Sequence, residues 1–273
     1  MSKIKAKKSL GQNFLKSEKA LSSIVDAADV TADDIILEIG PGHGALTERL
    51  MFFAGKVIAI EKDDELYEEL KKKYEKEINA GKLDLIHGDA LEFDPELLKF
   101  YEDFSYKLVA NIPYNITGAI FKKFLSASYQ PETIVLLVQK EVAKRIVASD
   151  GKPFDSAQGK ESILSISVKA YGKPRYVEMV KAGSFVPRPK VDSAIIAIEE
   201  ISKEFFQEFS EEKFFALLRA GFSSKRKKLS SNLANIFDKE KVTEAFKKLN
   251  LDENIRAEDV NIAIWQKLAM LLL

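Results

Sequence analysis

Ile35-Ile36-Leu37-Glu38-Ile39-Gly40-Pro41-Gly42-His43-Gly44 is a short apolar run that ends in a glycine-rich turn, and a helical pattern follows over Ala45–Phe53. Glycines in such a turn let the backbone pass close to a ligand without a Cβ in the way. The strand–loop–helix setting is what gives Gly-x-Gly meaning. Downstream, Val57-Ile58-Ala59-Ile60 predicts a second strand ended by Glu61. Asp63 is placed to cap a helix with Leu66, Tyr67, Leu70 and Tyr74 at helical spacing. Residues 83–86, 108–110 and 134–138 predict further buried strands. A helix with Ile120, Phe121, Phe124 and Leu125 on one face lies between the last two. Strands alternating with helices predict an α/β fold, a parallel sheet covered on both faces.

Beyond about residue 148 the pattern changes. Residues 150–159 are rich in Gly, Pro, Asp and Ser and read as a loop, while 163–171, 176–180 and 194–198 read as strands, the last two as an antiparallel hairpin. From Glu204 the strand signal ends. Phe214, Leu217, Leu218 and Phe222 mark one amphipathic helix, and Leu229, Leu233, Ile236 and Phe237 a second. Val242, Ala245, Phe246 and Leu249 mark a third, and Trp265, Leu268, Ala269 and Leu272 a fourth. The expected organisation is a basic arm over residues 1–17, an α/β domain over 18–200 and a small all-helical domain over 201–273. The arm carries five lysines and no acid, which suits a flexible or docking segment.

Composition narrows the chemistry. A chain of 273 residues, 46% hydrophobic and 31% charged, fits a globular protein of roughly two domains. With no cysteine there is no disulfide, thiolate nucleophile or iron–sulfur cluster, and two histidines cannot build a multi-histidine metal centre, so no metal is expected. No apolar run approaches the ~18–20 residues of a membrane span, and the lysine-rich start lacks an apolar signal core. The expectation is a cytoplasmic protein without a membrane partner. Forty-two basic residues balance forty-two acidic ones, so net charge says nothing about partners.

Glu61 lies 21 residues after Gly40, at the end of the second strand, where a carboxylate accepts both hydrogen bonds of a ribose diol. Asp89, in Gly88-Asp89-Ala90 after the third strand, is placed to meet the amino group of an adenine. The carboxyl edge of the first three strands therefore reads as an adenosine site. The third glycine comes one residue early for a dinucleotide fingerprint and position 45 is alanine, which disfavours a dehydrogenase. His43 and His87 read as structural.

The fourth strand runs into Asn111-Ile112-Pro113-Tyr114. With this motif the chain resembles, nearly end to end, the ribosomal RNA adenine dimethyltransferases, specifically the small-subunit enzymes. The resemblance is carried by Leu10-Gly11-Gln12-Asn13-Phe14-Leu15, Glu38-Ile39-Gly40-Pro41-Gly42, Glu61, Gly88-Asp89-Ala90-Leu91, Asn111-Ile112-Pro113-Tyr114 and the run from Phe185-Val186-Pro187-Arg188-Pro189-Lys190 to Val191-Asp192-Ser193. It implies a Rossmann-like class I methyltransferase sheet and S-adenosylmethionine as methyl donor. Asn13, Leu15, Gly40, Pro41, Gly42, Glu61, Asp89, Ala90 and Asn111 would contact that donor. The implied acceptors are adjacent adenines of small-subunit rRNA within an immature ribosomal subunit, each taking two methyls. A monomer is expected.

An adenine amino nitrogen is a poor nucleophile because its lone pair is delocalised into the ring. Two acceptors, the Asn111 side-chain oxygen and the Ile112 or Pro113 carbonyl, favour pyramidal geometry and release that pair. Pro113 stiffens the turn. Tyr114 offers a stacking face worth ~1–3 kcal/mol, and Phe185 is expected to cover the other. Arg188, Lys190, Arg219 and Lys225-Arg226-Lys227-Lys228 are the expected RNA contacts, their phosphate affinity falling steeply with salt. The alternatives are a large-subunit rRNA dimethyltransferase and a non-catalytic assembly or transcription factor on the same fold. One departure from the family pattern stands at residues 154–162, toward the expected target entrance.

Overall fold

The computed structural model describes residues 6–101, 105–148 and 160–273. Among the described residues nine strands form: β1 (Phe14–Leu15), β2 (Ile35–Ile39), β3 (Lys56–Glu61), β4 (Leu83–His87), β5 (Tyr106–Ala110), β6 (Thr133–Gln139), β7 (Lys173–Val180), β8 (Phe185–Val186) and β9 (Ser193–Glu199). The helices are α1 (Glu18–Ala27), α2 (Ala45–Phe53), α3 (Asp64–Lys73), α4 (Glu75–Asn79), α5 (Thr117–Ser126), α6 (Lys140–Val147), α7 (Ile163–Lys169), α8 (Glu211–Gly221), α9 (Leu229–Leu233), α10 (Lys239–Lys248) and α11 (Ile262–Leu272).

Seven strands make one sheet in the order β4-β3-β2-β5-β6-β9-β7. The pairs β2–β3, β3–β4, β2–β5 and β5–β6 are parallel, and β9 runs antiparallel to β6. Every residue of β2 is buried, which requires cover on both faces of the sheet and explains its unbroken apolar reading. On one face Ile36, Val57, Ala59, Val109, Val135 and Ile195 share a core with Leu21 and Ile24 of α1 and Leu46 and Leu50 of α2. Each fully buried Val, Leu or Ile among them contributes about 1.5–3 kcal/mol. The order reverses between β2 and β5, so the carboxyl ends of these strands open a crevice at the switch point, where doubly wound sheets hold ligands.

The chain divides into two compact units, residues up to 143 with 174–201, and residues 144–173 with 202–273. The second has its own core of Phe214, Leu217, Leu218, Phe246, Trp265 and Leu268, joined by Ile166 and Ala170. Residues 144–173, which the linear reading leaves with the first domain, thus pack with the helical region. Residues 163–171 are not a strand. Ser162 caps α7 reciprocally: Ser165 N–H donates to Ser162 Oγ at 3.1 Å and Ser162 N–H donates to Ser165 Oγ at 2.7 Å. That capping box and the burial of Ile166 and Val168 outweigh the β-branched composition. Helix α9 stops at Leu233, leaving Ile236 exposed.

The described part of the N-terminal arm is built into the first unit. β1 pairs antiparallel with β8, Phe14 opposite Val186 and Leu15 opposite Phe185, and Lys16 N–H donates to the Ser184 carbonyl at 2.8 Å. Among the described residues no helix is long and apolar enough to cross a membrane. Residues 149–159, which hold most of the departure from the family pattern, lie outside the described residues.

Candidate active site

A cavity of about 390 Å³ opens at the carboxyl edge of β2–β5. Its walls are the arm from Ser9 to Lys16, the glycine loop, and the residues that follow β3, β4 and β5. The loop turns through left-handed backbone at Gly40, Gly42 and Gly44, with φ of 66°, 61° and 80°. A side chain at Gly42 would meet the Phe14 ring at 3.0 Å, and one at Gly44 the Tyr74 hydroxyl at 2.6 Å. Tyr74 donates to the Gly44 carbonyl at 2.7 Å and so pins the loop to the end of α3.

Glu61 links the loop to β3. Its Oε2 accepts from Gly42 N–H at 3.1 Å and its Oε1 from Asp63 N–H at 2.9 Å. Each oxygen keeps a lone pair for an incoming diol. Burial raises the Glu61 pKa, against the opposing pull of those backbone donors. Asp89 Oδ2 accepts from Lys62 Nζ at 2.7 Å and Oδ1 from Leu91 N–H at 2.9 Å. The Lys62 ammonium is the main reason its carboxyl is held below the ordinary value. Ala90 is buried beside it.

Two features of the cavity escape a linear reading. The first is Glu38, which sits in β2 at only 1% exposure with its Oε2 unpaired among the described residues. Burial pushes its pKa up to about 8; Thr47 pulls the other way and the Glu61 charge adds to the rise. The motif containing Glu38 was visible in sequence, but its burial is a product of the covered sheet. The second is a latch on the arm. Gln12 Nε2 donates to Asp63 Oδ2 at 2.9 Å, and Lys7 Nζ pairs with Asp63 Oδ1 at 2.9 Å and Glu65 Oε1 at 3.0 Å. Burial works to raise the Asp63 pKa, and the Lys7 and Gln12 hydrogen bonds overcome it, so it lies lowered. Asp63 also caps α3, as its position in sequence predicts.

Asn111 follows β5 into the cavity wall. Its Nδ2 donates to the Asn13 carbonyl at 3.2 Å, which turns Oδ1 away as an unused acceptor. The Pro113 carbonyl accepts from Ile116 N–H at 3.2 Å, closing the short turn at Tyr114–Ile116. Tyr114 is half-buried, its hydroxyl 2.6 Å from Ser193 Oγ, and burial raises its pKa. A second cavity adjoins the first, lined by Ser9, Gly11, Asn13, Tyr114, Asn115 and Gln139.

Of the residues expected from sequence, Asn13, Leu15, Gly40, Pro41, Gly42, Glu61, Asp89, Ala90, Asn111, Pro113 and Tyr114 all line the first cavity. Phe185 does not. It is 2% exposed and packs in the sheet core with Leu15, Leu21 and Val180, because its pairing with Leu15 in the β1–β8 ladder turns the ring inward. Arg188 and Lys190 are exposed on the first unit outside both cavities. Arg219, Lys225, Arg226, Lys227 and Lys228 are exposed on the second unit. None of these cations has an ion-pair partner among the described residues. The described residues hold no cluster of three metal-ligating side chains.

The family model of ribosomal RNA adenine dimethylase matches residues 3–272. A ribosomal RNA small subunit methyltransferase A of Dehalococcoides mccartyi is 42% identical over 98% of this chain and 88% of its own. That of a Nostoc strain is 38% identical over 98% of both. Among solved structures, a dimethyladenosine transferase from Plasmodium falciparum superposes with a TM-score of 0.76 at 30% identity, over 93% of this chain and 95% of that one. The 23S rRNA methyltransferase ErmE shares the fold, with a TM-score of 0.72 at 24% identity over 95% and 99%. With the glycine loop, the two acids and the Asn-Ile-Pro-Tyr corner on one crevice, the chain belongs to the ribosomal RNA adenine dimethylase family.

Proposed function

We propose that this enzyme transfers two methyl groups in succession from S-adenosylmethionine to the amino nitrogen of each of two adjacent adenines in small-subunit rRNA. It acts on an immature subunit, as a cytoplasmic monomer. The cavity suits the donor on its own evidence. Glu38 Oε2 is a buried acceptor without a partner, facing a ligand that carries cationic groups. Gly40 leaves open space where a Cβ would stand. Glu61 offers two oxygens to a ribose, and the arm closes the remaining side. When bound, the donor supplies a methyl made electrophilic by its sulfonium.

The chain's own residues supply the rest. Asn111 Oδ1 accepts one hydrogen of the adenine amino group, its other end being occupied by Asn13. The second acceptor is the Ile112 or the Pro113 carbonyl, the latter already taking one bond from Ile116 N–H. Held by both, the amino nitrogen directs its lone pair at the methyl, and in-line placement supplies roughly 7–11 kcal/mol of the barrier. Tyr114, steadied by Ser193, stacks on the purine. The methylated nitrogen then loses its proton to water. The adenine must leave its stack, at a cost of a few kcal/mol that is least at an unpaired site. The exposed cations Arg188, Lys190, Arg219 and Lys225–Lys228 take the phosphates.

The unused Asn111 oxygen at the rim of the donor cavity is the observation that carries this reading. The test is incubation of labelled donor with small subunits lacking the modification, alongside naked large-subunit RNA, followed by nucleoside mass spectrometry. Dimethyladenosine in the small-subunit RNA alone is expected, and Asn111→Ala lowers its rate of formation on the order of 10²-fold or more. Product on large-subunit RNA instead, or an Asn111→Ala variant as active as the wild type, overturns the reading.

A further inference from the structure

Gln139 is the last residue of β6 and stands opposite Ser193, the first of β9. Ser193 Oγ in turn holds the Tyr114 hydroxyl at 2.6 Å. Gln139 therefore lies one cross-strand step from the residue that steadies the aromatic face of the site. It lines the second cavity with Tyr114, Asn115 and Asn13. The parallel register of β5 and β6, Ala110 opposite Leu136, places Asn111 and Gln139 at the same carboxyl edge of the sheet.

The carboxamide of Gln139 is half-buried and has no hydrogen-bond partner among the described residues. A primary amide carries two donors and an acceptor, and withdrawing them from water unpaired costs free energy. The side-chain amides of Asn111 and Asn13, its neighbours at this edge, both donate to backbone carbonyls. Gln139 keeps its donors for something that enters. An adenine presents an acceptor nitrogen on each side of its amino carbon, N1 and N7, and glutamine amides match that edge. Guanine presents N1 as a donor and a carbonyl in place of the amino group.

We propose that Gln139 is a specificity-determining residue that donates a hydrogen bond to a ring nitrogen of the target adenine, while Asn111 Oδ1 accepts from its amino group. This rests on the reading that an adenine amino group is the methyl acceptor. Asn111 alone selects for an exocyclic amine; Gln139 adds the demand for a ring acceptor beside it. A bond to N1 separates adenine from guanine, whose N1 is a donor, whereas a bond to N7, which guanine also offers, selects against bases without that acceptor.

The test uses the full-length protein and small-subunit particles carrying adenosine, 1-deazaadenosine or 7-deazaadenosine at the target position. All three keep the amino group, so methylation stays readable. Gln139→Ala removes the amide; Gln139→Glu keeps the shape and removes the donor. Both are expected to lower kcat/KM on adenosine about five- to tenfold, with the dissociation constant of the donor unchanged by calorimetry. One deaza substitution should lower the wild-type rate by a similar factor and cost the variants nothing more. Losses that multiply on both analogues, or a weakened donor, overturn the proposal. Absence of product on adenosine with the wild type overturns the adenine reading, and the proposal with it.

Discussion

Replacing Glu38 by glutamine changes one buried group and isolates its titration. The carboxyl has a pKa of about 8 in the folded chain against an ordinary 4.5. Between those values the folded chain holds the proton and the unfolded chain has released it, so stability falls as pH rises through this window. Below 4.5 the contribution is fully present, and above about 8 it is gone. At ~1.36 kcal/mol per pH unit the whole window is worth about 5 kcal/mol, of which about 3 kcal/mol falls between pH 6 and 9. Glutamine does not titrate. Urea unfolding of wild type and Glu38→Gln, followed by circular dichroism without donor at half-unit pH steps, should show the variant gaining on the wild type by about 3 kcal/mol from pH 6 to 9. A cationic donor against Oε2 favours the ionised carboxyl, so binding at pH 7 should release a proton from the wild type only. Calorimetry in two buffers of different ionisation enthalpy reads that release. Parallel stability curves for the two proteins would refute the assignment of a buried, protonated Glu38.

Three further outcomes follow from the site and the second unit. Asn111→Ala should lower methyl transfer on the order of 10²-fold or more, by analogy with removing one positioned hydrogen-bonding group from a reacting centre, while donor binding by calorimetry persists. Gly44→Ala forces a methyl to within 2.6 Å of the Tyr74 hydroxyl and 3.0 Å of Leu70 Cδ2, at a φ of 80°. It should cost about 2–4 kcal/mol, read as a lower urea midpoint. Changing Lys225, Arg226, Lys227 and Lys228 together to alanine should reduce the slope of log affinity for rRNA against log salt by up to about 3, with donor binding untouched.

The sheet is legible in sequence because its strands are covered on both sides. Ile35–Ile39 and Thr133–Gln139 read as nearly continuous apolar runs for that physical reason, and the glycine loop and Asp63 punctuate them as their backbone duties require. Most of the candidate site follows, since its residues sit at strand ends. What failed depended on distant partners. Ile163–Lys169 carries β-branched residues suited to a strand, and only the Ser162–Ser165 capping pair pointed to a helix. Phe185 has the look of an exposed stacking residue next to Pro187 and Arg188, yet its ladder with Leu15, 170 positions away in sequence, turns it inward. No local pattern announces that Gln12 reaches Asp63, or that Glu38 is buried against the cavity.

That β1–β8 ladder has a consequence for how the enzyme is made. Leu15 emerges from a ribosome early, but its partner Phe185 follows only after most of the first unit has been synthesised. The arm can meet Asp63 and Asn111 earlier, but β1 cannot complete its pairing until residues 185 and 186 have been made. Closing so long a span costs only logarithmically more than a short one in chain entropy, but it must wait for the far end. The last bonds that seat the arm thus form late during translation, and a chain truncated before residue 184 should hold it by the Lys7, Gln12 and Asn13 contacts alone.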